Sequence, residues 1–324
     1  MKTLLCKEFG PPESLVLEDV ESPEAGPGQV AVDVRACGVN FPDVLIIQNK
    51  YQFKPPLPFA PGGEISGVVK EVGEGVTGLV VGDRILASTG FGGFAEELVI
   101  PASHAVPIPD SMDFPTAAAF LMTYGTSYYA LKDRGQIQPG ENLVVLGAAG
   151  GVGLSACELG KAMGARVIAA ASSDEKLAVC REHGADETIN YSTEKLKDRI
   201  RELTGGQGAD VIYDPVGGDY SESALRAIAW EGRFLVIGFA AGDIPKIPLN
   251  LTLLKSCQIV GVFWGAFVGR EPERNKQNTR ELFEMFAAGK VKPYVSSSYP
   301  LAEAAGALDE IGGRRAKGKI VVIP

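Results

Sequence analysis

The 324-residue chain carries 31 Lys and Arg against 40 Asp and Glu, a net charge of −9. No basic run offsets that balance, which argues against a nucleic-acid surface, whose electrostatic footprint is a basic stripe. A chain of this length with 45% hydrophobic and 22% charged residues suits a globular protein with two cores. The stretch lowest in charge, residues 143–157, is glycine-rich and too short to span a bilayer.

In chain order, the first ~115 residues read as short strands joined by glycine and proline turns. Val30, Val32 and Val34 alternate with Ala31, Asp33 and Arg35, the pattern of a half-buried strand. Residues 65–72 follow the turn Pro61-Gly62-Gly63, Gly82-Asp83 turns into Arg84-Ile85-Leu86, and 94–100 is stopped by Pro101. Residues 42–48 suggest a short helix in this compact β-rich region. Asp113 then caps a helical stretch with Pro115 in its first turn, where proline is tolerated. Tyr124-Gly125-Thr126 is expected to interrupt it, and the crossover between domains is placed there.

The rest is organised around residues 143–164. Leu143-Val144-Val145-Leu146 suits a strand buried on both faces. Gly147-Ala148-Ala149-Gly150-Gly151-Val152-Gly153 follows, and then an apolar segment with helical spacing. Glycines at a helix start let a diphosphate approach the backbone and meet unpaired N–H groups. The spacing is G-x-x-G-x-x-G where G-x-G-x-x-G is usual, and a tight strand-to-helix turn alone also asks for glycine. The alternation that follows favours the nucleotide reading. Strands are predicted at 143–146, 167–171, 187–190, 211–214, 233–237 and 259–263, and helices at 152–163, 174–183, 193–203 and 220–230. Such a βα series implies a doubly wound parallel sheet of order 3-2-1-4-5-6, with the ligand at its carboxyl edge. Beyond Phe263, residues 270–288 and 301–311 read as helices and 319–323 as a strand. With no room for a third core, this tail is expected to complete the N-terminal domain: residues 1–122 with 265–324 form one domain, 123–264 the other.

In the NAD-binding form of such a sheet, an acidic residue ends the second strand and holds the ribose 2′-hydroxyl. Here that strand ends Ala169-Ala170-Ala171-Ser172-Ser173, with no carboxylate before Asp174. Two hydroxyls and Lys176 suit a 2′-phosphate, so NADP(H) is expected over NAD. Ser172 or Ser173 also suits the cap of the next helix, and the roles are compatible because a helix N-terminus favours phosphate. The cysteines, Cys6, Cys37, Cys157, Cys180 and Cys257, are odd in number and never spaced C-x-x-C, as expected of reduced thiols in a cytoplasmic protein. The N-terminal residues are too short an apolar run for a signal peptide.

Six segments carry a family resemblance: Cys37-Gly38-Val39-Asn40-Phe41-Pro42-Asp43, Pro61-Gly62-Gly63-Glu64, Val81-Gly82-Asp83-Arg84, Thr123-Tyr124-Gly125-Thr126, Ala148-Ala149-Gly150-Gly151-Val152-Gly153 and Val236-Ile237-Gly238-Phe239. In them the chain resembles the medium-chain dehydrogenase/reductase superfamily and, within it, the zinc-free quinone oxidoreductases of the zeta-crystallin-like branch. The resemblance implies an α/β chain: a GroES-like β-rich domain, completed by the tail, and a Rossmann doubly wound parallel-sheet domain. It also implies a homodimer paired through the last Rossmann strand. It sets Asn40 where zinc relatives carry a cysteine ligand and Gly63 where they carry a histidine, and the four-cysteine loop is missing. Cys37 and Glu64 alone fall short of the ligands a catalytic zinc takes, so no metal is expected. The two histidines, His104 and His183, form no Ser-His-Asp arrangement.

By the same resemblance Asn40, Tyr51 and Thr126 line the nicotinamide region. Asn40 and Tyr51 are the expected donors to an acceptor oxygen that gains charge. Gly150, Gly151 and Val152 are assigned to the diphosphate. Ser172, Lys176, Tyr191 and Arg315 go to the adenosine 2′-phosphate region, with Arg314 an alternative to Arg315. Gly238, Phe239 and Phe263 are expected at the nicotinamide. The expected activity is zinc-independent reduction of quinones or related α,β-unsaturated carbonyls by NADPH, the small-molecule acceptor being the partner, with no membrane or nucleic acid. An enoyl-thioester reductase and an NADPH-binding protein without turnover are the alternatives. The first would want a basic rim for a coenzyme A ester, and none is evident.

Overall fold

A computed structural model describes residues Met1–Pro324. The chain forms two compact units, Met1–Met122 with Pro293–Pro324, and Thr123–Lys292. Each has its own hydrophobic core.

In the first unit, β1 (Lys2–Leu5) and β2 (Val16–Asp19) pair as an antiparallel ribbon. The larger sheet is built from β3 (Gln29–Val39), β4 (Glu64–Val72), β5 (Arg84–Ser88), β6 (Glu97–Pro101) and β7 (Val106–Pro107), all antiparallel. Helix α1 (Phe41–Ile46) follows β3, and α2 (Phe114–Ala118) closes this part. Asp113 caps α2 as expected, its Oδ1 accepting the Thr116 N–H at 2.8 Å. The expected break at 124–126 is instead continuous helix with wide turns. Two π-helical stretches, Leu121–Gly125 and Tyr129–Arg134, flank α3 (Thr126–Tyr128). Gly125 is required there, because a Cβ would come within 2.8 Å of the Trp264 ring.

The second unit runs β8 (Asn142–Leu146), α4 (Gly151–Ala162), β9 (Arg166–Ala171), α5 (Asp174–Glu182), β10 (Glu187–Asn190), α6 (Leu196–Leu203), β11 (Ala209–Asp214), α7 (Asp219–Leu225), β12 (Ile228–Val236), α8 (Asn250–Lys255), β13 (Gln258–Gly261), α9 (Trp264–Arg270) and α10 (Pro272–Ala287). All neighbouring strands are parallel, in the order β10-β9-β8-β11-β12-β13, which is 3-2-1-4-5-6. Leu143 through Leu146 are fully buried, as a central strand covered on both faces demands. Two expectations are corrected. Helix α7 ends at Leu225 and not at 230, because the chain re-enters the sheet at Ile228. The helix expected over 270–288 begins at Pro272, a residue suited to a first helical position, and α9 precedes it.

Residues 265–292, expected beside the N-terminal region, belong to the second unit. Polar bonds from α10 hold them there: Asn278 Nδ2 donates to Asp133 Oδ2 at 2.7 Å, and Glu281 pairs with Lys132 and accepts from Tyr128. The tail that does return supplies β14 (Val295–Pro300), α11 (Ala304–Gly312) and β15 (Lys319–Ile323). β15 pairs antiparallel with β3, and β14 pairs parallel with β15.

The returning strand carries a buried charge. Lys319 is 4% exposed, and its Nζ donates to Val39 O at 3.2 Å, Asn40 Oδ1 at 2.6 Å and Glu64 Oε2 at 3.0 Å. Glu64 is fully buried, and its Oε1 accepts the Met122 N–H at 2.8 Å. Charges this deep persist only when paired. Lys319→Met should therefore lower the unfolding free energy by about 3–5 kcal/mol, the usual cost of stranding one buried partner. The Lys319→Met/Glu64→Gln double variant should recover most of that loss. Urea titration of both proteins checks this, and additive losses would contradict it.

Candidate functional site

A parallel sheet releases all its strands at one edge, where ligands of such folds gather. The loops after β8, β9, β10, β11, β12 and β13 here carry Gly147–Gly150, Ser172, Tyr191, Pro215–Gly218, Gly238 with Phe239, and Phe263. The structure thus brings the expected cofactor residues of the second unit to one edge of one sheet.

Gly147 has φ +56°, and Gly150 caps α4. The first helical bond runs from the Leu154 N–H to Gly150 O at 2.8 Å, so the amides of Gly151, Val152 and Gly153 precede the ladder. A Cβ on Gly150 would meet nothing nearer than 3.5 Å, whereas one on Gly153 would lie 2.4 Å from Gly147 O. Gly150 leaves the turn open, and Gly153 lets the helix pack onto it. A dinucleotide diphosphate fits this turn, facing amide donors and the positive end of a 12-residue helix. Thr126 is held beside it, since the adjacent Ser127 Oγ donates to Val152 O at 3.0 Å and lies 2.7 Å from the Tyr213 hydroxyl.

After β9, Ser173 caps α5 by accepting the Lys176 N–H. Ser172 is exposed, and Lys176 is half-buried in the first turn of the helix. Asp174, the nearest carboxylate, accepts from Asn190 Nδ2 at 2.8 Å and so is tied to the next strand. Tyr191 follows β10, with its ring centroid 4.4 Å from that of Tyr220. Phe239 and Phe263 are 37% and 59% exposed, while Gly238 is anchored through its N–H on Asp214 O.

In the first unit, the donor role expected of Asn40 does not hold. Its Nδ2 donates to Gly38 O at 3.1 Å and Glu64 Oε2 at 3.0 Å, and its Oδ1 accepts from Lys319. Both amide hydrogens are committed inside the fold. The Asn40 N–H reaches Asp43 Oδ2 at 2.7 Å, and Asp43 Oδ1 accepts the N–H groups of Gly62 and Gly63 at 3.2 and 3.1 Å. Asn40 and Asp43 thereby fasten the start of α1 to the 61–63 turn. Tyr51 packs half-buried against this unit's core, and burial, with the Asp43 charge nearby, raises its phenol pKa. Arg315 lies after α11, with its guanidinium on Asp309 O at 3.0 Å, and Arg314 beside it has φ +57°. No group of three or more His, Cys, Asp or Glu is arranged to hold a metal ion.

Two family models match the chain: an alcohol dehydrogenase GroES-like domain over residues 26–110 and a zinc-binding dehydrogenase domain over residues 151–286. A quinone oxidoreductase-like protein 2 homolog of Nematostella vectensis is 45% identical over 99% of this chain and 88% of its own length. A quinone oxidoreductase of Pseudomonas aeruginosa is 37% identical over 100% of this chain and 99% of its own. The crystal structure of Escherichia coli quinone oxidoreductase complexed with NADPH superposes with a TM-score of 0.94, at 31% identity and full coverage of both chains. The chain belongs to the quinone oxidoreductase family of medium-chain dehydrogenases/reductases. It is an oxidoreductase by that membership, and its two units are the family's GroES-like and Rossmann parts.

The sequence reading gives no role to Lys319 or Asp214, although each anchors part of this quinone oxidoreductase fold. Lys319 opens the apolar run Lys-Ile-Val-Val-Ile and reads locally as a solvated strand end. The available signal was Glu64, a carboxylate directly before an apolar strand, which needs a cation once buried.

Burial pushes the Asp43 carboxyl from its usual 3.8 to about 6, against the lowering effect of its amide partners and Lys319. The native state therefore holds this proton more tightly than the unfolded chain. The stability contributed is complete below the unfolded value and lost as pH rises through about 6, opposite in sign to an ordinary paired carboxylate. Asp43→Asn cannot ionise and should lack this fall. Measured by urea titration, wild type should lose stability relative to the variant between pH 3.8 and about 6 and run parallel to it above that; curves parallel throughout would count against it.

Proposed function

We propose that this chain is a zinc-independent NADPH-dependent reductase of quinones and related α,β-unsaturated carbonyls, working as a cytoplasmic homodimer. The observation that carries the cofactor reading is the end of β9. No carboxylate ends β9 itself: Asp174, the first to follow, is turned to Asn190, and Glu175 comes after it in the first turn of α5, while Ser172 and Lys176 offer the hydroxyl and the cation that a 2′-phosphate needs. The relative from Escherichia coli, crystallised with NADPH, supports it.

When bound, NADPH supplies the hydride. The chain binds and orients. The amides of Gly151, Val152 and Gly153 take the diphosphate, Tyr191 and Lys176 the adenosine end, and Gly238, Phe239, Phe263 and Thr126 confine the nicotinamide. Tyr51 donates a hydrogen bond from its phenol to the acceptor oxygen as charge develops there, and burial raises its pKa further above the neutral range in which a phenol is already protonated. Asn40 acts behind it by fixing α1 and the 61–63 turn. Asn40 and Gly63, with no three-ligand group near, offer zinc no ligand set. The five cysteines are free and buried, which supports a reducing compartment.

The homodimer reading rests on an uncovered edge. β13 ends the parallel sheet, and Ile259 on it is 41% exposed. Leu249, Leu253 and Leu254, at and within α8, are 76%, 79% and 65% exposed. A second copy paired on β13 about a twofold axis would cover both the strand edge and these side chains. Sedimentation equilibrium should give twice the chain mass, falling to one mass for Leu253→Glu/Ile259→Lys; a monomeric wild type excludes the dimer.

The activity is tested by NADPH oxidation against quinones, enones, enoyl thioesters and ethanol, with and without chelator. Quinones and enones should turn over, chelator should change nothing, and Tyr51→Phe should lower kcat. Lys176→Ala should weaken NADPH about tenfold, since a charged hydrogen bond from a half-buried side chain contributes roughly 1.5 kcal/mol, and should spare NADH. Turnover of ethanol with none of quinones, or one zinc per chain required for activity, overturns the reading.

A further inference from the structure

We propose that Asp214 is a positioning residue for the dinucleotide, one buried carboxylate setting the two loops that flank the diphosphate turn and the nicotinamide. The inference rests on the reading of the second unit as the NADPH site.

Asp214 ends β11 and is 3% exposed. Its Oδ1 accepts the N–H groups of Val216 at 2.8 Å and Gly217 at 3.0 Å, and its Oδ2 accepts the Ser221 hydroxyl at 2.5 Å. Its backbone oxygen accepts the N–H groups of Ile237 at 3.0 Å and Gly238 at 3.3 Å, the start of the loop after β12. The two loops are then laced together. Ala240 N–H donates to Pro215 O at 3.1 Å, Ala241 N–H to Val216 O at 2.7 Å, and Gly218 N–H to Asp243 O at 3.1 Å. One residue thus stands at the root of both.

Both loops touch groups assigned to the cofactor. The Cβ direction of Gly147, in the diphosphate turn, ends 2.8 Å from Val216 Cγ2. That of Gly217 ends 2.9 Å from Phe239 Cδ1. Val216 therefore backs the turn that receives the diphosphate, and Gly217 backs the ring placed at the nicotinamide. A simple turn after a strand needs only the bonds to Val216 and Gly217. The third bond, to Ser221, ties the same carboxylate to α7 and fixes its plane. With three neutral donors and no cation bonded to it, Asp214 acts by acceptor geometry. An asparagine keeps one oxygen for Val216 and Gly217 and can donate to the Ser221 oxygen.

The test uses the full chain as Asp214→Ala, Ser221→Ala and Asp214→Asn. Three quantities are read: the Kd of NADPH and of NADH by fluorescence titration, the thermal midpoint without cofactor, and KM against kcat with a quinone. A misplaced reacting group costs roughly ten- to a hundredfold in rate, so Asp214→Ala should lower kcat by that much, and loss of the preorganised loops should raise both Kd values by about tenfold. KM for NADPH should rise and kcat should fall, because both loops move. Ser221→Ala, which leaves a buried carboxylate oxygen unpaired and so also lowers the thermal midpoint, should raise both Kd values by at least about threefold at a temperature where it is fully folded, and Asp214→Asn should stay within about threefold of wild type. Equal effects on NADPH and NADH separate this role from reading of the 2′-phosphate. If Asp214→Ala fails to fold, Ser221→Ala decides. Wild-type affinity in whichever of Asp214→Ala and Ser221→Ala fold, whatever their thermal midpoints, overturns the proposal and leaves Asp214 structural only. A wild type that binds no NADPH overturns the site reading and this inference with it. A wild type that binds NADPH but reduces no quinone removes only the acceptor assignment, and the Kd series still decides.

Discussion

The second unit depends on one geometric constraint: six strands that all run parallel end at the same edge. That edge collects loops that lie far apart in the chain, from Gly147 to Phe263. It also leaves some backbone amides just past the strand ends without a partner on a neighbouring strand. The chain satisfies them with short polar side chains. β10 ends at Asn190, whose Oδ1 accepts the Ser192 N–H at 3.2 Å; β11 ends at Asp214, whose Oδ1 accepts the Val216 N–H at 2.8 Å. Ser173 does the same at the start of α5. These bonds reach two or three residues ahead, so each loop leaves its strand in one conformation. Preorganisation of the edge is thus a by-product of the need to pair buried backbone groups.

The first unit is held by a different device. Its sheet is completed by a strand from the far end of the chain, and the three donors of Lys319 are matched one for one by Val39 O, Asn40 Oδ1 and Glu64 Oε2. A purely apolar β15 could slide along β3, since Ile320, Val321 and Val322 offer similar surfaces. An ammonium that must find three particular oxygens cannot. The charge therefore fixes the register of the returning strand, a use of buried polar groups better founded than any gain in stability.

The sequence made the Rossmann part legible because its signals are local. Leu143 to Leu146 is a run buried on both faces, the glycines mark one turn, and strand order follows from connection rules. Signals failed where they are ambiguous or distant. Ala224, Leu225, Ala227 and Ile228 continue an apolar pattern across the change from α7 to β12, and either period accommodates them. β14 is Val-Ser-Ser-Ser-Tyr-Pro, an edge strand with no apolar run to betray it. The surface of α10 is charged, so nothing local says which core it joins; Asn278 and Glu281 settle that by reaching Asp133, Lys132 and Tyr128. Asn40 is the sharpest case. An asparagine in a turn can face a ligand or the fold, and here the choice is made by Lys319, 279 residues away in the chain.

That commitment changes where the proposed chemistry rests. With both hydrogens of Asn40 directed at Gly38 O and Glu64 Oε2, this amide has none to offer an acceptor. Tyr51 then carries the donor role alone in the proposed reaction, and a phenol whose pKa is raised by burial and by Asp43 donates a hydrogen bond without giving up its proton. One neutral hydrogen bond is a modest contribution to charge stabilisation. Such an arrangement suits an acceptor that is itself electron-poor and spreads incoming charge over a conjugated system. It leaves alignment as the larger share of the work, and effective molarity from alignment far exceeds what one donor supplies. The investment of this chain in buried groups that hold loops and turns, Asp214 at one site and Asp43 with Asn40 at the other, is what a reductase of that kind requires.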